Sequence, residues 1–377
     1  MSKLTTSRSA LSGALGQITR VIERRNNITI LSNVALELEG NTLHLRGTDL
    51  DIDMRTSIAV DGAGDGTTTL NADRLHQVVR TLPADAAVTL EWDSNSPATL
   101  KSGRSRFVLP SLPLSDFPDL ATGQMTNLFS MPAAALARII EKVAFAISVD
   151  ETRFYLQGIY FHPVTGDAGM ALRGVATDGH RMAVAEAPLP NGAESMAGII
   201  VPKKTVDVLG KLLSGHKEDV DVQVSPAKLV VQVGATRIVS KLIDGTFPDY
   251  QRVIPTRNDK HATLELASLH HALQRAAVFY EDKGSKVVNL TFKEGALELY
   301  KRDSEGGELR EEIEIDYDSA ELRVGVNVSY FRDAVDVPSG DCINIALSDP
   351  GSAALITSPT EADLRIVLMP MRTDKEG

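Results

Sequence analysis

The chain has 377 residues, 43% hydrophobic and 24% charged, with 39 basic against 50 acidic side chains and a formal net charge of −11. That composition describes a globular chain long enough for two or three cores, and its charge excludes blanket electrostatic attraction to nucleic acid. One cysteine, Cys342, excludes an internal disulfide and a cysteine zinc site; no stretch reaches the roughly 18 apolar residues of a membrane span and the start is too polar for a signal peptide, so a cytoplasmic protein is expected.

In chain order, Leu11, Leu15, Ile18 and Ile22 recur at i, i+4, i+7 and i+11 and predict a helix, with Arg20 and Arg24 on its opposite face. Asp49, Asp51 and Asp53 alternate after Gly47-Thr48. Three carboxylates on one side of a strand could hold Mg²⁺, but a solvated strand face is the expected reading. Gly62-Ala63-Gly64-Asp65-Gly66 has the wrong spacing for a dinucleotide loop and reads as a hairpin turn. Leu70-Asn71-Ala72-Asp73 opens a second amphipathic run carrying Arg74 and Arg80, and Ser115-Asp116-Phe117-Pro118-Asp119-Leu120 closes the segment.

The same order then recurs about 130 residues later. Leu136, Ile140, Val143 and Ile147 form the helical stripe, with Arg138 and Lys142 opposite. Ala176-Thr177-Asp178-Gly179 repeats the Thr-Asp pair, Val201-Pro202-Lys203-Lys204 opens the second helix, which carries Lys211, and Asp244-Gly245-Thr246-Phe247-Pro248-Asp249-Tyr250 closes the unit. A third copy has Leu269, Leu273, Ala276 and Tyr280 as its stripe, with His271 and Arg275 opposite. Val326-Asn327-Val328-Ser329 opens its second helix, with Arg332. Three units of about 126 residues fill the chain, giving expected domains 1–125, 126–256 and 257–377. Most strands between the helices alternate polar with apolar residues, which predicts antiparallel sheets and an α+β class. Basic residues favour the helices, whereas Glu294 to Glu321 holds eleven acidic residues against Lys301, Arg302 and Arg310.

Little in the chain suits catalysis. There is no phosphate-cradling Gly-x-x-x-x-Gly-Lys-Ser/Thr loop, no Gly-x-Ser-x-Gly elbow and no cysteine with suitable flanking partners. Asp178 and His180 are raw material for acid-base chemistry, and a hydrolase-like enzyme built on them is the competing reading. Because Thr-Asp recurs in two units, its expected role is an Asp-side-chain turn that Gly179 extends; His180 and Arg181, present in the second unit alone, read as an exposed binding pair. No catalytic residue, cofactor or metal is expected. The Phe-Pro-Asp segments read as linkers stiffened by proline, and the terminal Leu364–Arg372 run, rich in Met, as a closing strand or an adaptable docking surface.

Together, Gly47-Thr48-Asp49-Leu50, Ser102-Gly103-Arg104-Ser105-Arg106-Phe107, Ala176-Thr177-Asp178-Gly179-His180-Arg181, Ser240 to Tyr250, Asn327-Val328-Ser329-Tyr330 and Met369-Pro370-Met371-Arg372 resemble, in order and over the whole chain, the motifs of the bacterial beta sliding clamps. These are processivity subunits of the replicative DNA polymerase. The resemblance implies three tandem clamp domains, each of two helices plus antiparallel sheets, and a head-to-tail homodimeric ring with helices lining the hole. At about 10 Å per packed helix, six helices leave a hole of about 9 Å, too narrow for a duplex, whereas twelve leave about 28 Å. It further implies non-specific double-stranded DNA as a threaded partner. The replicative polymerase alpha subunit, the clamp loader, translesion polymerases and repair factors would bind through short peptides, and the protein would associate with the nucleoid during replication.

Carried over by position, the DNA-facing cations would be Arg25, Arg80, Arg138, Lys142, Arg153, Lys203 and Lys204. The partner-peptide pocket would comprise Arg153, Tyr155, Leu156, Thr177, Gly179, His180, Arg181, Met182, Pro248, Arg252, Val253, Val367, Leu368, Met369, Pro370, Met371 and Arg372. Met182 stands where leucine is common, a nearly volume-conserving change. The dimer seam would set Arg104, Arg106, Phe107 and Leu109 against Val278, Phe279, Glu305 and Glu308. The tail Thr373 to Gly377 runs past the family's usual end.

Overall fold

The computed structural model describes residues 1–23, 27–93, 96–166, 169–279, 286–302 and 306–372, and every count below refers to these. Arg24, Arg25, Tyr280, Glu305 and the tail Thr373 to Gly377 lie outside them. Six α-helices occur in pairs: α1 (Arg8–Ile18) and α2 (Ala72–Thr81), α3 (Ala133–Val143) and α4 (Lys203–Leu213), α5 (Leu266–Ala277) and α6 (Val328–Val335). The apolar stripes face inward as their period requires: Leu11, Leu15 and Ile18, then Leu136, Ile140 and Val143, then Leu269, Leu273 and Ala276 are all buried. The second helix of each pair starts directly after a strand. Asn71 and Asn327 cap α2 and α6 by accepting N–H bonds from Arg74 and from Ser329 and Tyr330, satisfying donors a helix start leaves open.

The residues fall into two compact units. The first spans Met1–Ala135, Pro190–Met196 and Asp207–Leu242. Its nine-stranded antiparallel sheet runs, edge to edge, Ser111–Leu112, Gly66–Asn71, Asn33–Glu39, Thr42–Thr48, Ile52–Ala59, Thr236–Lys241, Lys228–Val233, Asp219–Val224 and Asn127–Pro132. A five-stranded sheet, Asp61–Ala63, Ser2–Ser7, Ala87–Asp93, Ser96–Ser102 and Ser105–Leu109, completes it. Helix α1 packs on α2 and on the strands Thr42–Thr48 and Ile52–Ala59. Gly47 permits this approach, because a Cβ there would meet the Ile18 side chain at 2.6 Å.

The second unit spans Leu136–Leu189, Ala197–Val206 and Ile243–Gly377. Its eight-stranded sheet runs Ile199–Pro202, Gly158–Gly166, Gly169–Thr177, Arg181–Pro188, Glu361–Leu368, Ala354–Ser358, Cys342–Leu347 and Lys260–Glu265. The four-stranded sheet runs Glu308–Glu314, Ala296–Arg302, Val287–Lys293 and Leu322–Asn327. Each large sheet thus joins strands of two successive sequence repeats. Ile52–Ala59 pairs with Thr236–Lys241, and Arg181–Pro188 pairs with Glu361–Leu368, at the same place in the repeat.

Two sequence expectations are corrected. Gly62 to Gly66 is not a hairpin turn: Asp61–Ala63 pairs with Ser2–Ser7 in the five-stranded sheet, whereas Gly66–Asn71 pairs in the nine-stranded one. The glycines serve a crossing between two sheets, where side chains would collide with the Gly40 carbonyl at Gly62 and with Ser2 at Gly66. The alternating aspartates are not a solvated strand face either, because the strand begins only at Ile52. Asp49 sits in the preceding turn, Asp51 pairs with Lys241, and Asp53 is buried between Arg46 and Arg55. Gly62→Ala is therefore expected to destabilise the first unit by about 1–3 kcal/mol through forced backbone displacement, readable as a lowered urea midpoint.

Candidate functional site

Two turns that the repeat relates are built by the same four hydrogen bonds. In the first, the Thr48 hydroxyl donates to the Ile52 carbonyl (2.8 Å), Leu50 N–H donates to Thr48 Oγ1 (3.1 Å), and Asp51 and Ile52 N–H both donate to Asp49 Oδ1 (2.9 and 2.7 Å). In the second, Thr177 donates to the Arg181 carbonyl (2.8 Å), Gly179 N–H to Thr177 (3.1 Å), and His180 and Arg181 N–H to Asp178 Oδ1 (2.8 and 2.9 Å). The expected Asp-side-chain turn is present. Its third residue has positive φ in both copies, Leu50 at 79° and Gly179 at 88°.

This geometry weakens the enzyme reading. Asp178 is committed to the backbone and to Arg181 Nε (3.1 Å), and His180 stacks on Tyr330 with ring centroids 5.9 Å apart. Among the described residues no carboxylate orients the imidazole, so no general base is assembled there. Arg181 is not the exposed binding group expected. Its guanidinium lies over the Tyr330 and Phe145 rings, 4.5 and 5.2 Å from their centroids, and donates to Asp333 Oδ2 (2.6 Å), fastening the turn to α6.

Several of the other expected pocket residues lie beside this turn within the second unit. Strand Glu361–Leu368 brings Val367 opposite Met182 and Leu368 opposite Arg181; then Met369 N–H donates to the His180 carbonyl (2.9 Å) and Met371 N–H to the Gly325 carbonyl (2.7 Å). Leu156, Val175, Met182, Val184, Phe247, Tyr250 and Val367 form one buried apolar cluster, flanked by half-buried Tyr155. Above this floor Met369 and Met371 are each 41% exposed, Val253 52% and Phe154 49%. Leu368 is buried with the floor, Thr177 and Pro370 are half-buried, and Pro248, Arg252 and Arg372 are exposed. A dry floor with a flexible methionine rim suits short apolar side chains of a peptide.

Two supports were not foreseen from sequence. Phe247 stacks on Tyr160 (4.9 Å between centroids) and Tyr160 on His162 (4.8 Å), while the Tyr250 hydroxyl lies 2.8 Å from His162 Nε2 and accepts from Arg173 Nη1 (3.0 Å). His162 Nδ1 lies 3.0 Å from the Pro163 carbonyl. With Nδ1–H donating there, Nε2 accepts from the phenol. The Phe-Pro-Asp segment is thus a pinned wall of the site, more than a linker. Second, Asp150 accepts from the Thr152 hydroxyl (2.6 Å), Thr152 N–H (2.9 Å) and Arg153 Nε (2.8 Å), bonds that hold its carboxyl down to about 2. Arg153 so tethered lies against Gly179, where a Cβ would stand 2.6 Å from Nη1. The Asp150-Glu151-Thr152 spacing, a helix-start signature, was the available signal.

The counterpart of the floor in the first unit is ionic. The strand registers place Arg46, Asp53 and Arg55 where the second unit has Val175, Met182 and Val184. Arg46 and Arg55 each donate to Asp53 (2.5 and 3.0 Å) and to Asp119 (2.7 and 2.9 Å), with Arg46 over the Phe117 ring. Among the described residues no cluster of His, Cys, Asp and Glu could hold a metal, and no helix is long and apolar enough to cross a membrane.

The expected DNA-facing set divides. Arg80 and Lys203 are exposed on α2 and α4, and Lys204 is half-buried. Lys142 is corrected: its ammonium is buried against the Val337 carbonyl (2.6 Å), Ser339 Oγ (2.9 Å) and Glu361 (3.0 Å). Arg138 is half-buried and ion-paired with Asp363 and Glu361, so its charge is already compensated. Arg25 lies outside the described residues. At the expected seam, Ser105–Leu109 and Glu308–Glu314 are both edge strands. Arg104, Arg106, Val278 and Glu308 are exposed and Phe107 and Phe279 half-buried, but Leu109 is corrected, since it is buried within its own unit and offers no surface.

Family models for the DNA polymerase III beta subunit match in sequence: the N-terminal domain at residues 2–121, the central domain at 130–249 and the C-terminal domain at 251–372. The beta sliding clamp of Caulobacter vibrioides is 41% identical over 371 residues, covering 98% of this chain and 100% of that protein, and the Escherichia coli beta sliding clamp is 34% identical over 371 residues with the same coverage. Among solved structures, a DnaN sliding clamp from Bartonella birtlesii bound to griselimycin is 38% identical and matches with a TM-score of 0.95, covering 99% of this chain and 100% of that one.

Burial lowers the His162 pKa from its ordinary value. The unfolded chain then binds more protons than the fold below about pH 6.5, so this contribution is complete above that pH and lost as pH falls. The urea midpoint is expected to drop between about pH 7.5 and 5.5, and His162→Gln to flatten that slope.

Proposed function

The chain belongs to the bacterial beta sliding clamps, the DNA polymerase III beta subunits, and from that membership we propose that two copies close head to tail into a ring around double-stranded DNA and tether the replicative polymerase to it. It is a processivity subunit and is not itself catalytic. The domains are 1–125, 126–256 and 257–377, each with one helix pair. The protein works in the cytoplasm, associated with the nucleoid during replication.

The observation that carries the tethering role is the apolar floor under Met369 and Met371 in the second unit. Peptides of the polymerase alpha subunit, clamp loader, translesion polymerases and repair factors dock there. Arg153, held by Asp150 against Gly179, acts at this pocket. Pro248, Arg252, Val253 and Tyr155 form the wall, with Thr177, Gly179 and His180 at its end.

Exposed cations, Arg74, Arg80 and Lys203 on the second helices of their pairs and Arg20 in the turn after α1, supply phosphate contacts that carry no sequence information. Contacts of this kind, many of them through water, exchange quickly, so the ring slides while its closure prevents escape. Tethering converts each polymerase rebinding into a local event. The ring closes by pairing Ser105–Leu109, with Arg104, Arg106 and Phe107, to Glu308–Glu314 of the second copy, beside Val278 and Phe279. An unpaired basic edge meets an unpaired acidic one.

A fluorescent polymerase-tail peptide is expected to bind, and Met369→Ala with Met371→Ala to weaken it about tenfold or more, the loss expected for two truncated anchors; unchanged affinity removes the site assignment. Loaded protein should stay on nicked circular DNA and leave on linearisation. Sedimentation at micromolar concentration should show a dimer, and a monomer insensitive to concentration contradicts the ring.

A further inference from the structure

The repeat lets each unit act as a template for the other. In the second unit Tyr250, three residues after Phe247, folds its ring over the sheet and delivers its hydroxyl to His162 and Arg173. The corresponding residue three after Phe117 is Leu120, and the sheet surface that Tyr250 covers in the second unit is here a cleft of about 290 Å³ that Leu120 does not line. Registers relate the two surfaces residue by residue. Ala35, Glu37, His44, Arg46, Arg55 and Arg237 line the cleft where the second unit has Tyr160, His162, Arg173, Val175, Val184 and Arg365.

We propose that this cleft is a second docking site, taking an aromatic side chain next to a carboxylate from a partner peptide. The ring position follows from the template: replacing Tyr160 by Ala35 widens the bed, and Leu114 and Phe117 supply an apolar wall. The carboxylate position follows from charge. Arg46, Arg55 and Arg237 lie side by side on three adjacent strands, an arrangement that destabilises a sheet unless compensated. Asp53 and Asp119 compensate Arg46 and Arg55, but the Arg237 guanidinium has no hydrogen-bond or ion-pair partner among the described residues. Arg237 and half-exposed Arg55, directly opposite across one strand pair, form a fork that a carboxylate would bridge. Glu37, with His44 drawn to Glu39 at 3.7 Å, closes the other end and disfavours a second acidic group there, giving the ligand a direction.

The probe is acetyl-Ala-Tyr-Asp-Ala-amide, titrated into the full-length protein by NMR. Submillimolar binding is expected, with shifts at His44 and Leu114. Arg237→Ala, or Asn for Asp in the probe, should weaken it about tenfold, as loss of a charge-assisted hydrogen bond does. Leu120→Tyr gives the first unit the residue the second carries; it should abolish binding while raising the thermal midpoint. Absence of binding at millimolar probe, affinity unchanged by both Arg237→Ala and Leu120→Tyr, or loss of binding in Met369→Ala with Met371→Ala, which places the probe in the other pocket, each overturns the proposal.

Discussion

Antiparallel pairing across the border of successive repeats is the constraint on which the rest of the molecule depends. A repeat ending on a free strand would expose a row of unpaired N–H and C=O groups. Here the last strand of the following repeat covers that edge, at Ile52–Ala59 with Thr236–Lys241 and again at Arg181–Pro188 with Glu361–Leu368. The arrangement also fixes what comes next in the chain. Lys241 N–H donates to the Asp51 carbonyl, and Met369 N–H to the His180 carbonyl, so whatever follows each covering strand is delivered to the Thr-Asp turn. In the second unit that delivery brings Met369 and Met371 to the rim of an apolar floor.

Covering internal edges leaves others. Among the described residues, Ser105–Leu109 and Glu308–Glu314 end their sheets without a neighbour. Their charges are opposite, with Arg104 and Arg106 at one and Glu308, Glu311, Glu312 and Glu314 along the other. Two edges of opposite charge are complementary, which is the physical basis of the proposed closure with a second copy.

Much of this was legible in the residues. Helix stripes such as Leu11, Leu15 and Ile18 are self-announcing because their period admits one face to the core. The Thr177-Asp178 turn was legible because short polar side chains close their own backbone locally. What failed depended on distant partners. Lys142 looks like a solvent-facing cation on its helix, yet Glu361 buries it from 219 residues away. Asp53 looks like one of three surface carboxylates until Arg46 and Arg55 close over it. Gly62 looks like a turn residue, and its actual reason, the close passage of Gly40, is a contact between segments that no local pattern encodes.

The same scaffold carries two chemistries because only side chains on the shared floor have diverged. Burying Val175, Met182 and Val184 makes a dry surface whose stability does not depend on a ligand. Arg46, Asp53 and Arg55 in the same places must instead satisfy one another, since a buried carboxylate without partners is far more costly than an apolar side chain. That ionic cluster takes the place of the apolar floor in the first unit, so Lys241, the positional counterpart of Met369, has no matching apolar groove beside it. Conversely, the second unit spends its own Tyr250 to fill the bed that the first leaves open. Each unit is closed where the other is accessible, so one fold presents two unlike surfaces without any change in its hydrogen-bonded frame.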